Sequence, residues 1–163
     1  MCNCAKRGLT VNKIFDTILN MIIHEYNENW KSQFVEIKDI LEKNLSKTIG
    51  IEHVGSTAIT GMLAKPIIDI DIIIESNEQF NKTKEELELL GYYHNGDQGI
   101  RGREVFKRVN GKQDNVLDKI KHHLYVCEKD NLELKQHLLF RDYLNKHDKK
   151  KSAYNKIKKS SLK

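Results

Sequence analysis

The residues best suited to chemistry lie in one stretch, HVGSTAITGMLAKPIIDIDIIIES, residues 53–76. Asp69 and Asp71 stand two apart inside a run of isoleucines. Side chains alternate along a strand, so the two carboxylates share one face and Ile68, Ile70 and Ile72 share the other. Like charges at that spacing repel. A partly buried, unpaired carboxylate costs on the order of several kcal/mol or shifts its pKa upward. A divalent cation resolves the conflict. Mg²⁺ takes a few carboxylate oxygens and fills its other positions with water and substrate phosphates, and Mn²⁺ suits the same ligands. The other readings are an aspartate at a solvated strand edge and one paired with Lys or Arg.

The residues before the pair extend this reading. GSTAITG follows a strand-like run ending in IEHVG and opens a turn of small residues. Gly55 lets the backbone approach a ligand closely. Ser56 offers a hydroxyl where free N–H groups could hold phosphate, and Thr57 belongs to the same turn. A phosphate site and a metal pair on adjacent strands together suit nucleoside triphosphate chemistry, in which the metal neutralises charge on phosphate oxygens. His53, just before the turn, is read as a packed, hydrogen-bonded histidine, with a place in the site's lining as the alternative.

Several elements must position these residues. Val11, Ile14, Phe15, Ile18, Leu19 and Ile22 have helical spacing over 11–25, and Trp30, Phe34, Ile37, Leu41 and Leu45 repeat it over 29–45. Pro66 ends any helix before it. IIDIDIII is β-branched and continuous, the strongest strand of the chain. Ser76 and Gln79 predict a capping box, followed by a helical stripe of Phe80, Thr83, Leu87 and Leu90 and a terminating Gly91. GYYHNGDQGIRGREVFKRVNG predicts short strands joined by glycine turns, HHLYVC another strand, and 130–146 and 152–162 two closing helices. Trp30, Phe34 and Tyr143 are expected in the core. The order predicts an α+β (mixed α/β) domain with helices covering a sheet.

Composition narrows the classes. The chain has 163 residues, 39% apolar and 31% charged, which suits one globular domain rather than a disordered chain. No apolar run approaches a membrane span and no signal-peptide core appears, so a cytoplasmic location and no membrane partner are expected. Cys2 and Cys4 form an isolated C-x-C and Cys127 lies far away, a pattern that fits neither a disulfide framework nor a zinc site. The net charge is +5. Residues 129–163 hold eleven Lys and Arg against four Asp and Glu, a balance of +7 that leaves −2 elsewhere. Such a tail fits a solvated helix face or a nucleic acid partner.

A strand ending in Gly-Ser, a gap of about a dozen residues and then Asp-hydrophobic-Asp-hydrophobic resembles the signature of the nucleotidyltransferase superfamily. More closely, IEHVGSTAITGMLAKPIIDIDIII, GYYHNGDQGIRGREVF, HHLYV and LLFRDYLNKHDKKKSAYNKIK are similar to successive blocks of the GrpB family, over residues 23–163. The resemblance implies a nucleotidyltransferase-like mixed β-sheet flanked by helices, preceded by an extension with a helix over 1–22. It implies that Gly55 and Ser56 bind nucleotide phosphate and that Asp69 and Asp71 hold Mg²⁺. Lys65 and Arg103 become candidate phosphate contacts. Arg141, in FRD, would reach phosphate or else pair with a carboxylate and fix its helix to the sheet.

Superfamily enzymes add a third carboxylate from a later strand, and none is evident here. His123 shares a face with Tyr125 on that strand, and Tyr125 stands where the GrpB pattern often has histidine. His123 could be a general base, a metal ligand or a hydrogen-bonded structural histidine. The implied activity is transfer of a nucleotidyl group from a nucleoside triphosphate to a hydroxyl acceptor. The alternatives are a catalytically inactive nucleotide-binding module and a protein that binds nucleic acid through its basic C-terminal helix.

Overall fold

Seven residues, Ile68–Ile74, form the central strand β2. It pairs antiparallel with β1 (Thr48–Val54) on one side and parallel with β5 (His122–Glu128) on the other. Parallel neighbours need a long crossover, and the chain between them supplies helix α2 (Phe80–Leu89), β3 (Tyr92–His94) and β4 (Arg103–Arg108). β4 pairs antiparallel with β5, and β3 with β4, giving the order β1-β2-β5-β4-β3. Helix α1 (Asn29–Asn44) precedes the sheet, and α3 (Leu132–Lys146) and α4 (Asp148–Ser160) follow it. The computed structural model describes residues 23–109 and 114–160. The fold is the mixed α+β arrangement that the sequence predicts.

The two faces of β2 have opposite characters. Ile68, Ile70, Ile72 and Ile74 are buried with Ile51, Phe106, Leu124 and Val126 in one apolar cluster. Trp30, Ile37 and Leu41 of α1 and Leu87 of α2 cover it. Each buried isoleucine contributes roughly 1.5–3 kcal/mol by leaving water, so this face holds the sheet together. Residues paired in register share a face. The opposite face therefore gathers Glu52 with Asp71, Val54 with Asp69, Asp69 with His123, and Asp71 with Tyr125.

Element boundaries follow local chemistry. The expected first helix falls mostly on residues outside those described. Its end is not helical, because His24 exchanges backbone hydrogen bonds with Ala64 at 2.8 and 3.0 Å. Cys2 and Cys4 also lie outside the described residues. Cys127 is buried, and burial pushes its thiol up to about 12, which makes it unreactive. The predicted capping box is displaced. A short 3₁₀ turn, Asn77–Gln79, precedes α2, and from it Gln79 accepts the N–H of Glu75 at 3.0 Å while Ser76 caps nothing. Gly91 follows α2 with φ +89, the left-handed turn expected of it. The last helix starts at Asp148, earlier than predicted. Asp148 favours the first turn, where its negative charge meets the positive helix end, and it pairs with Lys151 at 2.8 Å. Tyr143 is not core: it is 47% exposed and stacks on His147 at 4.1 Å. Among the described residues, no helix is long and apolar enough to cross a membrane.

His53 lies on the apolar side, stacked on Phe34 with ring centroids 4.8 Å apart. Its Nε2 is 3.0 Å from Thr57 Oγ1, which itself donates to the Ile67 carbonyl at 3.2 Å. The ring nitrogen must therefore be the donor to Thr57. Burial lowers the pKa of His53 from 6.5 to about 4. Below pH 6.5 the unfolded chain takes up a proton here that the folded chain refuses. The contribution is thus complete above pH 6.5 and falls by roughly 3 kcal/mol as pH approaches 4. Urea unfolding between pH 7 and 4 is expected to lose stability more steeply in the native protein than in His53→Gln. Identical slopes would contradict the buried, neutral assignment.

Candidate functional site

The polar face of β2 carries the site. Asp71 is fully buried, and its Oδ2 accepts from His137 Nδ1 on α3 at 2.7 Å. Its Oδ1 is buried with no hydrogen-bond partner among the described residues. Asp69 is partly exposed, and its Oδ1 accepts from His123 Nδ1 on β5 at 2.9 Å. The two aspartates thus face the same way, each held on one oxygen by a histidine from a different element. The hydrogen bond to Asp71 raises the pKa of His137 against the opposing effect of burial.

Gly55 closes β1 with φ +71 and ψ −168, a conformation open essentially to glycine alone. A Cβ built there would lie 2.3 Å from Asp69 Oδ2. The close approach that glycine permits here is that of the Asp69 carboxylate. The chain then turns through a 3₁₀ segment, Ser56–Ala58. Ser56 faces a cavity of about 470 Å³. The same cavity is lined by Thr57, Lys65, Asp69 and His123, and by Tyr154, Ile157 and Lys158 of α4. Lys158 Nζ donates to Ser56 Oγ at 2.6 Å and to the Leu63 carbonyl at 2.8 Å.

A wider trough of about 1050 Å³ shares Ile67 and His123 with this cavity and extends along β4 to Lys107 and Arg108. It contains neither Asp69 nor Asp71, so the smaller cavity is the one that joins the turn to Asp69. His123, 54% exposed, stands between the two.

Gly55, Ser56, Lys65, Asp69, Asp71 and His123 therefore belong to one region. Thr57 lies beside them, but its hydroxyl is turned inward to His53 and Ile67. Arg103 sits at the other side of the face, its guanidinium 4.7 Å from the centre of the Tyr125 ring and its Nε buried without a partner. Arg141 bonds Glu52 Oε2 at 2.6 Å, the His53 carbonyl at 2.9 Å and Asp142 at 2.8 Å. Those contacts fix α3 to β1. Three residues of the region escaped the sequence reading. Glu52 was within reach of it, because the alternation that aligns the aspartates extends to β1. His137 and Lys158 carry no local signal, since their partners lie 66 and 102 residues away.

A divalent cation fits this donor set. Two carboxylates on one face, one with a buried oxygen that no described residue satisfies, suit a hard ion that draws its remaining ligands from water and phosphate. Among the described residues, no group of three or more His, Cys, Asp or Glu is gathered as a metal site, so such an ion would rest on Asp69 and Asp71.

The family profile described as GrpB protein matches residues 20–163. This chain belongs to the GrpB family. The UPF0157 protein YqkA of Bacillus subtilis is 38% identical over 135 residues, 82% of this chain and 37% of YqkA. The glutamate-rich protein GrpB of Alkalihalophilus pseudofirmus is 37% identical over 142 residues, 86% of this chain and 80% of that protein. The chain thus spans little more than a third of YqkA but most of the second relative. The crystal structure of GrpB from Enterococcus faecalis superposes with a TM-score of 0.71 at 33% identity, covering 85% of this chain and 81% of that one. A structure of Cid1, described as having RNA terminal uridylyl transferase activity, superposes with a TM-score of 0.55 at 16% identity, covering 90% of this chain and 43% of that one. At that identity the likeness shows a shared fold, so the GrpB sheet is a nucleotidyltransferase-like fold.

Gly55→Ala is expected to lower unfolding stability by about 1–3 kcal/mol. Gly96→Ala is the control: it has the same φ of +71, but its Cβ would meet nothing within 4 Å. Chemical denaturation of both variants checks this. An equal loss in the two would remove the Asp69 contact as the reason for glycine at position 55.

Proposed function

We propose that this protein binds a nucleoside triphosphate with Mg²⁺ or Mn²⁺ and transfers a nucleotidyl group to a hydroxyl acceptor. The observation that carries this is the buried, unpartnered Oδ1 of Asp71 on the same strand face as Asp69, next to the Gly55–Ser56 turn. Asp69 and Asp71 would hold the cation. Ser56, the backbone of its turn, Lys65 and the N–H of Thr57 would take phosphate oxygens. A cation bound there supplies charge neutralisation at the phosphoryl oxygens.

His123 would receive the proton. With its Nδ1–H donated to Asp69, the neutral ring would keep a lone pair on Nε2. The acceptor oxygen bonds to the α-phosphorus, the bond from that phosphorus to the bridging oxygen breaks, and pyrophosphate leaves. The hydroxyl proton passes to His123 Nε2. Arg141 is assigned no phosphate, because it is tied to Glu52 and the His53 carbonyl; Arg103, whose Nε lacks a partner among the described residues, would be a further phosphate contact. Solved structures of Cid1 include one bound to MgATP and one with a UTP analogue, and the shared fold supports this reading.

A second reading is a nucleotide-binding module without turnover. It is favoured by the register of β5, which places His123 and Tyr125 beside the aspartates where a third acid would otherwise stand. Nucleic acid is the remaining candidate partner, through exposed lysines of α4, and would show binding that weakens steeply with salt and ignores Asp69.

Calorimetric titration of ATP, GTP, CTP and UTP with and without Mg²⁺ tests the proposal. Mg²⁺-dependent binding is expected in the native protein, roughly tenfold or more weaker in Asp69→Asn. His123→Gln is expected to keep binding and lose turnover. No binding of any triphosphate by the native protein would overturn the proposal.

A further inference from the structure

The loop between Gly55 and Pro66 is clamped by the end of α3 and by α4. Asn145 accepts the Thr60 N–H at 3.0 Å and donates to the Ala58 carbonyl at 3.3 Å. Asn155 accepts the Leu63 N–H at 2.9 Å and donates to the Gly61 carbonyl at 3.0 Å. These neutral amides satisfy backbone groups in pairs. Lys158 adds a charge to the same docking. Its ammonium touches a hydroxyl, a carbonyl and the face of Tyr154, 5.2 Å from the ring centroid. No carboxylate pairs with it among the described residues, in contrast to Lys151 on the same helix, which pairs with Asp148 at 2.8 Å. Burial lowers its pKa, as expected for an ammonium drawn out of water without a counter-charge.

The cavity around that ammonium carries charges of both signs. Asp69, Lys65 and Lys158 line the same space with the Ser56 hydroxyl. Ile23, Tyr154 and Ile157 add apolar walls. A cavity charged by Asp69 alone would repel a phosphate chain. Two ammonium groups and a hydroxyl in the same lining make it attractive to anionic oxygens.

We propose that Lys158 is an anion-binding residue of this cavity and that the oxygens of a polyphosphate chain complete its ammonium. Resting on the nucleotide reading above, those oxygens are the β and γ phosphates of the triphosphate. Helix α4 is then part of the binding site, and this lysine of the basic C-terminal segment serves the cavity and not an external polyanion. A small polyphosphate, not a nucleic acid, is the ligand that fits a half-buried ammonium in a cavity of about 470 Å³.

The test uses inorganic tripolyphosphate without divalent ions, titrated calorimetrically into the full chain. Native protein and Lys149→Met, which removes an equal charge from the exposed side of α4, are expected to bind alike. Lys158→Met is expected to bind roughly tenfold or more weakly, while the Leu63 amide keeps its exchange protection. If that protection is lost, Lys158→Arg decides: binding retained there supports the proposal, and binding lost there overturns it. Equal binding by Lys158→Met and native protein, or no tripolyphosphate binding by the native protein, overturns it as well. The two readings fail separately. Tripolyphosphate held by Lys158 without any nucleotide binding rejects only the transferase reading. Mg²⁺-nucleotide binding that needs Asp69 and ignores Lys158 rejects only this one.

Discussion

Two carboxylates on one face of a central strand are the constraint around which this molecule is arranged. Asp71 is fully buried, yet only one of its oxygens has a partner among the described residues. A buried carboxylate beside another acid is unfavourable unless hydrogen bonds or cations offset it. The fold brings groups from distant parts of the chain to this face. His137 comes from α3, His123 from β5, and Gly55 surrenders its side chain so that Asp69 can lie against β1. Arg141 neutralises Glu52, the third acid of the same face, and ties α3 across it. Even so, one carboxylate oxygen remains unsatisfied. Stability on the isoleucine face is what allows the polar face to keep that unfavourable arrangement.

The division of labour between faces also decides how much could be read from the sequence. Period-two alternation in IDIDIII places both aspartates on one side and the core on the other, and β2 shows that arrangement. The helix from Phe80 to Leu89 and its glycine stop are similarly local and were legible. Tyr143 was misplaced because helical spacing does not say which side of α3 meets the sheet. The start of α4 was misplaced because its first turn is set by Asp148 and Lys151, not by apolar residues. His137 and Lys158 were invisible for a different reason. Their meaning lies in contacts made across most of the chain, and neither residue has a neighbour pattern that distinguishes it from an ordinary surface histidine or lysine.

Arg103 and Arg141 show the reverse limit. Resemblance draws attention to them, and both lie on the right face of the sheet. Yet an arginine already engaged with Glu52 and a backbone carbonyl is a strut, and a guanidinium stacked on Tyr125 is partly committed as well. Engagement, more than position, separates groups that shape a site from groups that remain available to a ligand. By that standard Asp71 Oδ1 and Arg103 Nε, both buried without a hydrogen-bond partner among the described residues, mark the unfinished chemistry of this face.

Titration with Mn²⁺ followed by electron paramagnetic resonance tests that account most directly, because it reads the ion itself and needs neither nucleotide nor acceptor. The account predicts a single saturable site in the native protein that disappears in Asp71→Asn and in Asp69→Asn while both variants stay folded. A native protein with no such site, or a site that survives both substitutions, would contradict it.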